Sequence, residues 1–317
     1  MCRRNTRNNK NREGPNSVST GLQNEELACM EVWGGNASTE AAIERPGLSC
    51  SVYSRSYGSG DFGGDVYYLS LCASGRLTRF LLADVCGHGE SAAGTAGALR
   101  ELMRQNVNRI RQTQLVEAVN RELTAADLAG RFATALVGTW FSPTSQMVLS
   151  NAGHPIPLLY RASTGRWSLC DGRPPERVAM QDMPLGIDER TSYSEHRVKL
   201  KPGDLLLCYT DALSESIDAE GNQLQTSGLI RLLESLESPL PDRLTSSLLG
   251  RLEQFSPDNL ERDDLTVMLF TATTRPVPLT DSLLAPLRYL RNLVVDRVTS
   301  RSPRPTTVSD PVPSSAL

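Results

Sequence analysis

At 317 residues the chain has room for one large domain or two small ones. Its 39% hydrophobic and 22% charged content is that of a soluble folded protein, and a formal net charge of −3 weighs against a general nucleic-acid binder. The 7 cysteines are scattered with no C-x-x-C pair, which weighs against a zinc site or a disulfide framework and suits a reducing cytoplasm. Neither a membrane-spanning apolar run nor a signal-peptide core is expected from the hydropathy pattern.

Residues 1–25 read as a disordered basic tail, with Arg3, Arg4, Arg7, Lys10 and Arg12 among asparagines and little to bury. A short strand is expected at 29–33, a turn at Gly34-Gly35-Asn36, and an alternating strand at 48–54. A hairpin follows, with strands at 65–72 and 77–83 joined through Ala73-Ser74-Gly75. Its antiparallel strands bring Asp65 and Asp84 to the same end of a sheet. After His88, apolar residues recur at helical spacing from Ala92 to Val107, and Gly94, Ala96, Gly97 and Ala98 are expected to let that helix lie close to a sheet. A second helix is expected at 115–128.

Strands resume at 132–140 and 146–150 around Ser142-Pro143, then at 157–160 and 167–169. A loop at 173–182 precedes a strand at 193–200, the turn Lys201-Pro202-Gly203-Asp204, and a fully apolar strand at 205–210. Helices at 227–236 and 241–255 lead to a last strand at 265–270. Antiparallel strands with paired helices between them imply one α+β layered domain over residues 26–273. Beyond it, Leu283, Leu287, Leu290 and Val294 share one face of an amphipathic helix at 274–300, a candidate for self-association through 279–300. Residues 301–317 read as a disordered Pro/Ser-rich tail.

Four carboxylates stand at strand edges: Asp65, Asp84, Asp211 and Asp263, the last with Asp264 beside it. Acidic groups bordering apolar strands need compensation, and divalent cations supply it. Oxygen ligands beside glycine-rich backbone suit Mg²⁺ or Mn²⁺.

Seven short motifs occur in order. They are Gly63-Gly64-Asp65; Ala83-Asp84-Val85-Cys86-Gly87-His88-Gly89; Phe132-Ala133-Thr134-Ala135; Asn151-Ala152-Gly153-His154-Pro155; Pro184-Leu185-Gly186; Pro202-Gly203-Asp204 with Tyr209-Thr210-Asp211; and Asp263-Asp264-Leu265-Thr266-Val267. In this order and spacing the sequence resembles the metal-dependent protein serine/threonine phosphatases, specifically their bacterial SpoIIE-type branch. The resemblance implies a four-layer α-β-β-α sandwich of two antiparallel sheets flanked by helices. It implies Mn²⁺ or Mg²⁺, two ions, held by Asp65, Asp84, the Val85 carbonyl, Asp211 and Asp263. Hydrolysis of phosphoserine or phosphothreonine by a water that the two ions activate follows from the same resemblance. The implied partner is a phosphorylated signalling protein such as an anti-sigma-factor antagonist.

No side chain is assigned as a proton donor. His88 lies four residues after Asp84, whereas the proposed donor of eukaryotic relatives lies two residues after the equivalent aspartate. His88, His154 and Asp264 are therefore read as residues that support the metal ligands, and His196 as a surface residue. Two departures stand out. Tyr68 replaces an acidic residue of many relatives, and Ala212 replaces a glycine, which would strain the backbone if φ were positive there. The alternative reading is a phosphatase-fold module with weak catalysis that docks a regulator. A two-metal nuclease suffers from the absence of a basic stripe.

Overall fold

The computed structural model describes residues 30–45, 47–58, 62–72, 76–87, 90–126, 130–172, 182–236 and 240–275. The tail at 1–25, the loop expected at 173–182 up to residue 181, the helix expected at 274–300 beyond Arg275, the tail at 301–317 and His88 lie outside these described residues.

Three strands open the chain: β1 (Met30–Ala37), β2 (Thr39–Arg45) and β3 (Leu48–Arg55). The hairpin β4 (Phe62–Leu71) and β5 (Leu77–Val85) follows, then helices α1 (Glu90–Asn106) and α2 (Gln112–Ala125). Strands β6 (Ala133–Phe141), β7 (Gln146–Ala152), β8 (Leu158–Arg161), β9 (Arg166–Leu169), β10 (His196–Lys199) and β11 (Leu205–Tyr209) come next. The chain closes with α3 (Asp211–Glu215), α4 (Gln225–Ser235), α5 (Pro241–Phe255) and β12 (Leu265–Ala272).

These strands form two six-stranded sheets, ordered β1-β4-β5-β6-β7-β10 and β2-β3-β12-β11-β8-β9. Each named strand pairing is antiparallel. Alternation along each strand sends one set of side chains inward and the other outward. Leu69, Phe80, Leu82, Leu136 and Trp140 of the first sheet meet Val52, Leu206, Cys208, Met268 and Phe270 of the second. Phe80 and Phe270 touch across this core with ring centroids 4.4 Å apart. The outward residues Val66, Tyr68, Leu81 and Ala83 are covered by α1 and α2, and Leu205, Leu207, Val267 and Leu269 by α3, α4 and α5. The result is the four-layer α-β-β-α sandwich expected of the α+β class.

Three local readings need correction. Gly34-Gly35-Asn36 is not a turn but the far half of β1, irregular in its pairing with β4. A Cβ on Gly34 would stand 2.2 Å from Glu31 Oε1 and 2.7 Å from Arg100 Nε, so glycine leaves room for the ion pair between those residues. Gly94 and Gly97 do not approach the sheet. They are exposed with open space around them, while Ala92 and Ala96 face the core. Ala212 lies inside α3, and the non-glycine residues with positive φ among those described are Ser145 and Gln225, so the anticipated strain does not arise.

Candidate active site

The inter-sheet face changes character at one end of the sandwich. Stepping two residues along each strand takes Tyr67 to Asp65, Leu82 to Asp84 and Leu136 to Thr134 in the first sheet. In the second sheet the same step takes Val52 to Ser54, Cys208 to Thr210 and Met268 to Thr266. A hydrophobic core therefore gives way to a layer of carboxylates and hydroxyls in a single side-chain step.

Asp65 and Asp84 are direct partners in the β4–β5 register, and Asp84 is in turn the partner of Thr134 on β6. Both aspartates therefore point to the same face of the sheet. Asp65 is 2% exposed. Burial and the neighbouring Asp84 push its pKa well above the usual carboxylate range, while the hydroxyls of Thr266 and Thr210 pull the other way. Its Oδ2 accepts a hydrogen bond of 2.9 Å from Thr210 Oγ1, and its Oδ1 is buried with no partner among the described residues. Asp84 is half-buried, and its pKa rises to about 7 through burial and the charges of Asp211, Asp263, Asp264 and Glu215.

Asp211 enters from the second sheet as the first residue of α3, directly after β11. Its pKa is raised by burial, then by Glu215 and Asp263. Asp263 is exposed in the turn before β12, where its Oδ1 accepts the Asp264 N–H at 2.8 Å. Asp264 is buried and ties three segments together. Its carboxylate accepts the Tyr57 N–H at 2.6 Å and the Gly64 N–H at 2.5 Å. That approach explains Gly63-Gly64: a Cβ on Gly63 would lie 2.3 Å from Asp264 Oδ1, and one on Gly64 would lie 3.1 Å from the Val85 carbonyl. The Val85 carbonyl is thus held against the start of β4, next to Asp65.

His154 is fully buried. Its Nδ1 is 2.9 Å from Thr134 Oγ1, and its backbone N–H and carbonyl are both held by the Asn151 amide at 2.8 Å. Burial lowers its pKa to about 3, against the opposing pull of the Tyr209 carbonyl. It is a neutral residue behind Thr134, one strand removed from Asp84. His196 is exposed, with Nε2 3.1 Å from the Cys170 carbonyl. Tyr68 packs among the helix-facing residues, on the opposite side of the sheet from the carboxylates.

Sequence reading missed Glu215 and the hydroxyls of Ser54, Thr210 and Thr266. Glu215 stands one helical turn after Asp211, which places it on the same side of α3. The hydroxyls continue the inward-facing alternation of their strands, and that period was the available signal.

The donor set is hard and anionic, as a divalent cation requires, and the buried, unpartnered Asp65 Oδ1 is an acceptor awaiting a cation or proton. Mutual repulsion among Asp84, Asp211, Asp263 and Glu215 is the complementary sign. Among the described residues no group of three or more His, Cys, Asp or Glu is closed tightly enough to hold an ion by itself. The oxygen donors themselves are of the type that suits Mg²⁺ or Mn²⁺.

The family model of Stage II sporulation protein E (SpoIIE) matches residues 74–273. The chain belongs to the SpoIIE family. Members of this family are PP2C-type serine/threonine phosphatases. Among solved structures, this SpoIIE-family chain is similar to the RsbU and RsbW domains of Rv1364c from Mycobacterium tuberculosis, with 26% identity and a TM-score of 0.62. That match covers 76% of this chain and 64% of the other. The PP2C phosphatase domain of SpoIIE from Bacillus subtilis, with a fragment of its regulatory domain, has 18% identity and a TM-score of 0.58 over 74% of this chain and 65% of its own. RsbX in complex with magnesium has 16% identity and a TM-score of 0.55 over 74% of this chain and 100% of its own. The chain thus spans somewhat under two thirds of the first and the SpoIIE structure, and shares the fold of all three.

Proposed function

We propose that this chain hydrolyses phosphoserine or phosphothreonine on a partner protein, with Mn²⁺ or Mg²⁺ as cofactor. One observation carries the reading: Asp65 and Asp84, paired in register on one sheet, face the end of the sandwich where Asp211 and Asp263 arrive from the other sheet. Asp65, Asp84, Asp211, Asp263 and the Val85 carbonyl are the candidate ligands, with Asp264 and His154 supporting them. Two ions bound there would activate a water and neutralise charge on the phosphoryl oxygens. The chain's own contribution is to hold four carboxylates from two sheets against their mutual repulsion, with the hydrophobic core as the rigid base.

Family membership supports a phosphorylated regulator as substrate, and an anti-sigma-factor antagonist is the proposed partner class. The similar Rv1364c structure contains RsbU and RsbW domains in one chain, which supports a setting of linked regulators. Among the described residues no helix is long and apolar enough to cross a membrane, and a cytoplasmic site of action is proposed. Phosphate release from a phosphoserine peptide, with and without EDTA, tests the activity. The proposal expects turnover restored by added Mn²⁺ or Mg²⁺ and lost with Asp84→Asn. Full turnover after exhaustive chelation would sink it.

A further inference from the structure

Four polar residues, Ser54 on β3, Thr266 on β12, Thr210 between β11 and α3, and Asp65 on β4, form a connected line across the acidic end of the sandwich. Ser54 Oγ of β3 lies 2.9 Å from Thr266 Oγ1 of β12. The Thr266 N–H donates to Thr210 Oγ1 at 2.9 Å, and Thr210 Oγ1 lies 2.9 Å from Asp65 Oδ2. All four residues are buried: Ser54 at 4% exposure, Thr266 and Thr210 at 0%, and Asp65 at 2%.

The direction of this line follows from counting protons. A threonine hydroxyl has one proton to give. Thr210 Oγ1 accepts the Thr266 N–H, so its proton points elsewhere, toward Asp65 Oδ2 at 2.9 Å or the Thr266 carbonyl at 3.4 Å. The carboxylate is nearer and is the stronger acceptor. The Thr210 backbone is fixed as well, since its N–H donates to the Thr266 carbonyl at 3.0 Å. Both ends of the residue are thereby locked to β12. Its side chain reaches into the first sheet, and its carbonyl side leads straight into Asp211.

We infer that Thr210 is a positioning residue that sets the separation between the carboxylates of the two sheets. Its hydroxyl occupies Asp65 Oδ2 and leaves Oδ1, buried and unpartnered, for a cation. Its backbone fixes where Asp211 begins α3. Ordering of a ligand carboxylate by an outer hydrogen bond is a general device for raising metal affinity. The inference rests on the metal-dependent reading above.

The test is Mn²⁺ binding to the full chain, read as the free-ion signal in electron paramagnetic resonance, with circular dichroism melting of each metal-free variant alongside. Thr210→Ala and Thr210→Val remove the hydroxyl, and Thr210→Ser keeps it. The expected result is a loss of Mn²⁺ affinity of about 10- to 100-fold for Thr210→Ala. Thr210→Ser should stay within about 3-fold of wild type, since it retains the hydrogen bond that orders the ligand. Thr210→Val is close to isosteric with threonine and should match Thr210→Ala if it folds. If it does not, the alanine–serine comparison decides. Wild-type affinity in Thr210→Ala would overturn the inference, as would an equal loss in alanine and serine variants, which would assign Thr210 to packing alone. A wild-type chain that takes up no Mn²⁺ would overturn the metal-dependent reading together with this inference, and is thereby distinguishable from failure at Thr210.

Discussion

In the metal-free protein, burial and then the charges of Asp211, Asp263, Asp264 and Glu215 raise the Asp84 pKa from 3.8 to about 7. A carboxyl whose pKa is raised on folding contributes stability that is fully present below its unfolded pKa and lost as pH rises through its folded pKa. The Asp84 contribution to metal-free stability should therefore fall between about pH 4 and about pH 7, whereas His154, buried in its neutral form, contributes in the opposite sense below about pH 6.5. Asp84→Asn should remove that falling contribution, so that stability declines less with rising pH than in wild type, and, because the site is partly solvated, raise metal-free stability at pH 8 by about 1–3 kcal/mol. Urea unfolding across this range checks both statements, and a steeper slope in the variant would contradict them. The same substitution should abolish turnover, as should Asp211→Asn. His154 shows a different side of the site. With a pKa near 3 it does not ionise in an assay at neutral pH, so it does not shape the pH–rate profile. Its removal should instead weaken the fold: His154→Ala is expected to cost about 2–4 kcal/mol through a cavity and the lost bond to Thr134, measured by urea unfolding.

At the scale of elements, α1 presents Ala92, Ala96, Leu99 and Met103 to the first sheet and leaves Gly94 and Gly97 in open space. Replacing each exposed glycine by alanine should stabilise the helix by about 0.5–1 kcal/mol, because glycine loses more backbone entropy on folding. Chemical denaturation of Gly94→Ala and Gly97→Ala measures this, and destabilisation would mean that the exposed face is covered by something. The helical period of α1 was plain in the sequence, but its glycines gave no sign of facing outward. The β4–β5 hairpin was legible because strong β-formers flank turn residues in the sequence; Asp65 and Asp84 lie at the same end of the sheet as expected, and the register makes them direct partners. Strand β2 was not legible: Thr-Glu-Ala-Ala-Ile-Glu-Arg has weak strand propensity and is held as an edge strand by β3. The glycines of β1 read as a turn because what requires them is contact with residues far apart in sequence: Gly34 leaves space for the Glu31–Arg100 pair and Gly35 lies against the Tyr67 ring. Helix α3 is five residues long, too short for a periodic signal, and hides the neighbourhood of Asp211 and Glu215.

Taken whole, the molecule draws its acidic groups from β4, β5, α3 and the turn before β12, where the two sheets end together, so the site depends on the sandwich rather than on any single loop. The motif order in the sequence singled out carboxylates that lie near one another in the fold, whereas the hydroxyl layer beside them became visible only with both sheets stacked. The sequence of residues 279–300 lies after β12, the last described strand. A chain ending at Thr274 should keep turnover of p-nitrophenyl phosphate, while self-association or activity on the protein substrate is lost. Side-by-side assays of both chains test this, and loss of small-substrate turnover in a folded truncated chain would contradict the boundary at 273. The central claim is that carboxylates from two sheets together hold the ions that make this chain a phosphatase. Phosphoserine hydrolysis followed against bound Mn²⁺ per chain tests it most directly. The account predicts no turnover in metal-free protein, activity that appears as occupancy approaches two ions, and neither full occupancy nor turnover in Asp84→Asn. Wild-type rates at zero occupancy, or an Asp84→Asn variant that binds and turns over like wild type, would contradict it.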